Sequence, residues 1–134
     1  MKIIDANGSV LGRLASYAAK ESLKGEEIII LNCNNVIISG NKENIKGIIH
    51  KKRGRFGSSQ KGPTYSRTSE RMVKRAIRGM LPNYREGRGR IAFKKIKCYS
   101  EIPKEFENSE KIKIAQDKKI KSIEIKDLLK EIKN

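Results

Sequence analysis

Nine of the ten arginines in this chain fall between Lys42 and Lys97, a stretch that holds 18 Lys or Arg against three acids, Glu43, Glu70 and Glu86. Its net charge is +15, whereas the other 78 residues hold 13 basic and 12 acidic side chains and come to +1. Arginine offers phosphate oxygens a planar fork of donors, lysine a mobile point charge, and interleaved glycines let the backbone approach closely. The chemistry on offer is polyanion binding rather than bond making. Phe56, Tyr65 and Tyr84 lie among these cations, and two readings of them stay open: stacking on unpaired bases, or packing in a core. Net charge does not separate RNA from DNA, so a DNA-binding protein stays as an alternative.

Catalytic and metal chemistry find little material. His50 is the single histidine and reads as a surface or RNA-facing side chain. Cys33 and Cys98 belong to no Cys-x-x-Cys pair and read as small buried side chains rather than metal ligands or a redox couple. Three scattered acids in the basic stretch are too few to hold the divalent ions of a nuclease or phosphotransferase. The first turn, Gly8-Ser-Val-Leu-Gly12-Arg13, matches neither the phosphate-loop nor the dinucleotide glycine pattern, so no cofactor is expected. Asp5 falls near the carboxyl end of the first strand, where open α/β sheets often place functional groups. That position keeps an RNA-processing or modifying enzyme as a second alternative, although a turn or cap role for Asp5 is better supported.

The elements that must position the cations follow from periodicity. Lys2 to Ala6 is β-prone, and after the turn signal Asn7-Gly8 the apolar residues Val10, Leu11, Leu14, Ala15, Ala18, Ala19 and Leu23 change to helical spacing. Asn7 or Ser9 can cap that helix and Gly25 suits its exit. Ile28 to Leu31 is a continuous apolar run, as in a strand buried on both faces, which completes a βαβ unit with a parallel pair. Val36 to Ile38 is a further short strand, and Ser39-Gly40-Asn41 can cap a helix carrying Ile45, Ile48 and Ile49.

From Lys51 to Arg67 the periodicity disappears and an extended basic loop is expected. Thr68 or Ser69 then caps the clearest helix, with Met72, Val73, Ala76, Ile77 and Met80 on one side and Arg71, Lys74, Arg75 and Arg78 on the other; Pro82 stops it. Tyr84 to Lys94 is a weaker helix interrupted by Gly87 and Gly89, and Ile96 to Cys98 alternates like a strand. Beyond Pro103 come a strand at Lys111 to Ala115 and a closing helix with Ile125, Leu128, Leu129 and Ile132.

The 134 residues, 37% of them hydrophobic, suit one domain spanning 1–134, with a basic segment at 42–97 and a variable tail at 107–134. No apolar run approaches the roughly 18 residues of a membrane-spanning helix. Asp5 stands where a secretory signal would have its apolar core, so a cytoplasmic place is expected.

Several blocks together resemble the archaeal form of the universal thirteenth protein family of the large ribosomal subunit. They are Asp5-Ala-Asn-Gly-Ser-Val-Leu-Gly-Arg-Leu-Ala-Ser16, Asn32 to Gly40, Arg78-Gly-Met-Leu-Pro82, Gly87-Arg-Gly-Arg-Ile-Ala92, and Lys95-Ile-Lys-Cys-Tyr99 followed by Ile102-Pro103. The resemblance covers about residues 1–106 and departs from the family at Met72-Val73-Lys74, where aromatic residues are usual. It implies a three-layer α/β/α fold whose four-stranded parallel sheet has the order 3-2-1-4. It also implies a structural, non-enzymatic role: a monomer within the ribosome that binds and stabilises large-subunit ribosomal RNA, supports its assembly and meets neighbouring large-subunit proteins. Carried over by position, the RNA contacts are Arg53, Arg55, Lys61, Arg67, Arg71, Arg75, Arg78, Arg85, Arg88 and Arg90, with Arg13 a weaker addition.

Overall fold

The computed structural model of the chain describes residues 1–54, 65–114 and 121–133. Strands β1 (Lys2–Asp5) and β2 (Ile28–Leu31) pair in parallel, Ile4 opposite Ile30, and helix α1 (Leu11–Leu23) joins them. Leu14, Ala15, Ala18 and Ala19 lie on the buried side of α1, whereas Leu23 of the same periodic stripe is exposed at the helix end and Val10 precedes the helix. Asp5 Oδ1 accepts from the Asn7 backbone N–H at 3.1 Å and from Asn32 Nδ2 at 2.8 Å. It ties the end of β1 to the residue that follows β2. The expected cap is absent: Val10 occupies the N-cap of α1, and the buried Ser9 hydroxyl makes no hydrogen bond.

After β2 the chain bends through Asn32, whose φ of 59° is left-handed, and a 3-10 turn at Cys33–Asn35. This bend carries the next strand, β3 (Ile37–Ser39), out of the sheet. β3 pairs antiparallel with β6 (Ser122–Glu124), Ile38 opposite Ile123. The main sheet is completed by β4 (Ile96–Cys98) beside β2 and β5 (Ile112–Lys113) beside β1, all parallel. Numbered along the chain, its order is β4-β2-β1-β5, which differs in detail from the expected 3-2-1-4 because β3 belongs to the small second sheet. Counting only the strands of the main sheet restores 3-2-1-4.

Helix α2 (Lys42–Arg53) is capped by Asn41, whose Oδ1 accepts from Glu43 N at 3.0 Å. The expected loop therefore begins later, since α2 runs through Lys51, Lys52 and Arg53 before Gly54. Cations in that last turn face the negative end of the helix dipole. Helices α3 (Ser69–Met80), α4 (Gly87–Lys94) and α5 (Ile125–Lys133) complete the fold.

On one face of the sheet Ile4, Ile28, Ile30 and Ile96 meet α1, α3 and α5 in a continuous core. Ile123, Ile125, Leu128 and Leu129 join it, so β6 and α5 are built into the fold; the Ile132 side chain lies outside the described residues. On the other face Ile3, Ile29 and Leu31 form a smaller cluster against which, among the described residues, Tyr99, Ile102 and Phe106 pack, near a 3-10 turn at Lys104–Phe106. The third layer is thin. At the edge of α1, the buried Glu21 accepts from Lys2 and, at 3.0 Å, from Lys24. These bonds, Lys2 first, hold its carboxyl below the usual range, and the Lys2 ammonium is raised in turn.

Candidate nucleic-acid interface

Helix α3 buries Ser69, Met72, Val73 and Ile77, so its remaining sides present Arg71, Lys74, Arg75 and Arg78 at the surface or half-buried. Its start is anchored by the buried Ser69, which sequence reading offered as a cap. The Ser69 hydroxyl instead donates to Asn34 Oδ1 at 2.6 Å and lies 3.2 Å from Ser100 Oγ. Ser100 in turn donates to Glu70 Oε2 at 3.0 Å, so one of the three acids of the basic stretch serves this anchor. At the other end Leu81 and Pro82 terminate the helix, and Asn83 opens a turn by accepting the Arg85 backbone N–H on its side chain at 3.1 Å.

Tyr84 gathers the cations of that turn. The Arg78 guanidinium lies 4.8 Å from its ring centroid and that of Arg85 5.4 Å, while Arg85 Nε donates to the phenol oxygen at 3.2 Å. The bond and charge of Arg85, and then the charge of Arg78, pull the Tyr84 phenol below its ordinary range. Phe93 of α4 sits 6.1 Å from Tyr84, tilted, with the Lys74 ammonium 5.0 Å from its own centroid. A third ring, Tyr65, packs on the core and carries Arg75 at 4.8 Å and Lys52 at 5.9 Å. The ring quadrupoles attract each of these cations and offset part of the repulsion between neighbouring like charges.

The carried-over residues fall into three groups. Arg78 and Arg85 are brought together on the Tyr84 ring, and Arg75 lies over Tyr65. Arg53 ends α2, Arg67 lies exposed ahead of α3, Arg71 is exposed on α3, and Arg88 and Arg90 are exposed on α4. Arg55 and Lys61, and with them Phe56, lie outside the described residues. Lys52 and Lys74 are missing from the carried-over set, although Lys74 is three residues beyond Arg71 and four before Arg78, on the cationic side of α3.

The two glycines read as interruptions of α4 have a different use. Gly87, at φ +64°, opens the helix, and Gly89 brings it against the preceding turn. A Cβ at Gly89 would lie 2.4 Å from the Pro82 carbonyl oxygen and 2.5 Å from that of Asn83. Gly89→Ala is expected to destabilise the chain by about 1–3 kcal/mol in urea unfolding, because neither backbone oxygen can turn aside. Unchanged stability would show that α4 does not rest on that turn.

Other chemistry has little support in the geometry. Cys33 and Cys98 are free thiols brought close by the pairing of Cys98 with Ile30, and hydrogen bonding to Cys98 together with burial pushes the Cys33 thiol up, which keeps it protonated. Among the described residues no group of three or more His, Cys, Asp or Glu is placed to hold a metal ion, and no helix is long and apolar enough to cross a membrane.

The sequence profile of the family described as ribosomal protein L13 matches residues 1–105. The large ribosomal subunit protein uL13 of Methanosarcina barkeri is 45% identical over 116 residues, 86% of this chain and 81% of its own. The protein of the same name from Methanosphaera stadtmanae is 44% identical over 129 residues, 92% of this chain and 90% of its own. That of Thermoplasma volcanium is 41% identical over 138 residues and covers 98% of both chains, which carries the similarity past Phe106 and through α5. With its opening turn, its Arg78 to Pro82 helix end and its α4 all inside the matched residues, the chain belongs to the ribosomal protein L13 family.

Proposed function

We propose that this chain is a structural constituent of the large ribosomal subunit, which binds large-subunit ribosomal RNA through the cationic strip from Lys52 to Arg90 and supports its assembly. The observation that carries the reading is the pair of guanidiniums, Arg78 and Arg85, held on one ring at the α3–α4 turn. Such a pair presents forked donors at fixed spacing, which suits adjacent phosphates of folded RNA. Sequence readout is a small part of this chemistry, since A-form helices hide base edges and offer phosphates and sugar hydroxyls. The relatives named as large-subunit proteins supply the choice of ribosomal RNA over other polyanions.

In this reading the protein acts as a monomer, folds as one domain over 1–134, and works in the cytoplasm on the ribosome. An enzyme is disfavoured because the relatives are named as ribosomal proteins, and Asp5 takes a turn role, with Oδ1 accepting from Asn7 and Asn32. Sedimentation of lysate containing the tagged full chain is expected to place it with the large subunit, and ultraviolet crosslinking to recover large-subunit RNA. Recovery in light fractions bound to duplex DNA or scattered transcripts would overturn the proposal.

A further inference from the structure

On the thinly covered face of the sheet, Met1, Ile29, Ile91 and Phe106 floor a groove of about 430 Å³. Met1 is 69% and Ile91 59% exposed, the two most exposed large apolar side chains among the described residues. Lys97, opposite Ile29 in the β2–β4 register, ends the apolar surface with a cation, and Lys94 and Lys95 extend the rim. Lys95 Nζ is taken by the Gly25 carbonyl at 3.1 Å, while Lys94 and Lys97 are exposed. Against these cations the lining offers one carboxylate, Glu27.

We propose that this groove docks a peptide segment of a neighbouring protein, one that inserts an aliphatic side chain between Ile91 and Phe106 and sets carboxylates against Lys94 and Lys97. The inference rests on the ribosomal reading above and adds to it the place and chemistry of a protein contact. An apolar floor with a polar rim is the anatomy of a protein interface. Nucleic acid fits the groove poorly. Aliphatic side chains do nothing for phosphate, the cations here are all lysines rather than the forked arginines of the α3–α4 strip, and the one ring, Phe106, already packs against Tyr99 at 5.9 Å. A second copy of this chain, at +16, would bring the same lysines to meet these.

The test places a photo-crosslinking phenylalanine derivative at position 91 of the tagged full chain, and irradiates large subunits purified from cells that express it. The expected product joins the chain to a protein segment where an aliphatic residue neighbours Asp or Glu. In the Lys94→Glu, Lys97→Glu double variant its yield is expected to fall about three- to tenfold, as two exposed ion pairs are lost. Crosslinks to RNA, to a basic protein segment, to a second copy or within the chain, or no crosslink in subunits that contain the protein, would overturn the docking proposal alone. Failure of the chain to enter large subunits would overturn the ribosomal reading, and this inference with it.

Discussion

Leu128→Ala is expected to lower the free energy of unfolding by about 2–5 kcal/mol, the range for truncating a large aliphatic side chain in a close-packed core. Leu128 lies beyond the residues that the family profile matches, yet it is fully buried, and Val36, Ile123, Ile125 and Leu129 belong to the same cluster. Its helix is also held from outside: Lys46 of α2 pairs with Glu131, and Ile125 N donates to the Val36 carbonyl at 2.9 Å. The cavity left at position 128 could close only if α5 moved, and those bonds resist that. Urea unfolding with an unchanged slope measures the loss, and Lys130→Ala on the exposed side of α5 serves as the comparison, expected within about 0.5 kcal/mol of the parent. Equal midpoints for the two variants would make residues 107–134 a tail with no part in the core.

The elements with strong local signals were legible. The α1 stripe, the all-apolar β2 and the cationic side of α3 follow from side-chain order alone, because each is set by burial within a few residues. The basic window was equally plain, since charge needs no fold to be counted. What escaped depends on partners far along the chain. β3 has the composition of a sheet strand, but its mate is β6, more than 80 residues away, and the left-handed Asn32 redirects the chain between β2 and β3. Gly89 looked like a helix breaker because propensity weighs glycine by entropy; its use is steric, and only the approach of Pro82 and Asn83 reveals it. The sequence leaves Tyr84 open between base stacking and core packing and gives no sign that its ring carries both Arg78 and Arg85. Spacings of six and one residue across a helix end carry no periodic signature.

Binding to large-subunit ribosomal RNA is expected to weaken by about 10³ as monovalent salt rises from roughly 50 to 200 mM, because about eight phosphate contacts at roughly −0.7 each give a log–log slope near −5 to −6. The ten carried-over cations and the two lysines added by the structure supply more than enough donors for eight contacts, and the strip from Lys52 to Arg90 holds no carboxylates beyond Glu70 and Glu86. The slope also tests which cations do the binding. Replacing Arg78, Arg85 and Arg88 together by alanine removes about three contacts, so the slope is expected to become shallower by about 2, with the largest loss of affinity at low salt. Arg88 is exposed and Arg85 lies in the turn, so their loss leaves the core untouched, and a matched urea midpoint separates lost contacts from lost fold. A triple variant with the parental slope would remove these arginines from the interface. Equal affinity for duplex DNA at matched salt would leave charge alone as the basis of binding and deprive the Tyr84 arrangement of any role in recognising folded RNA.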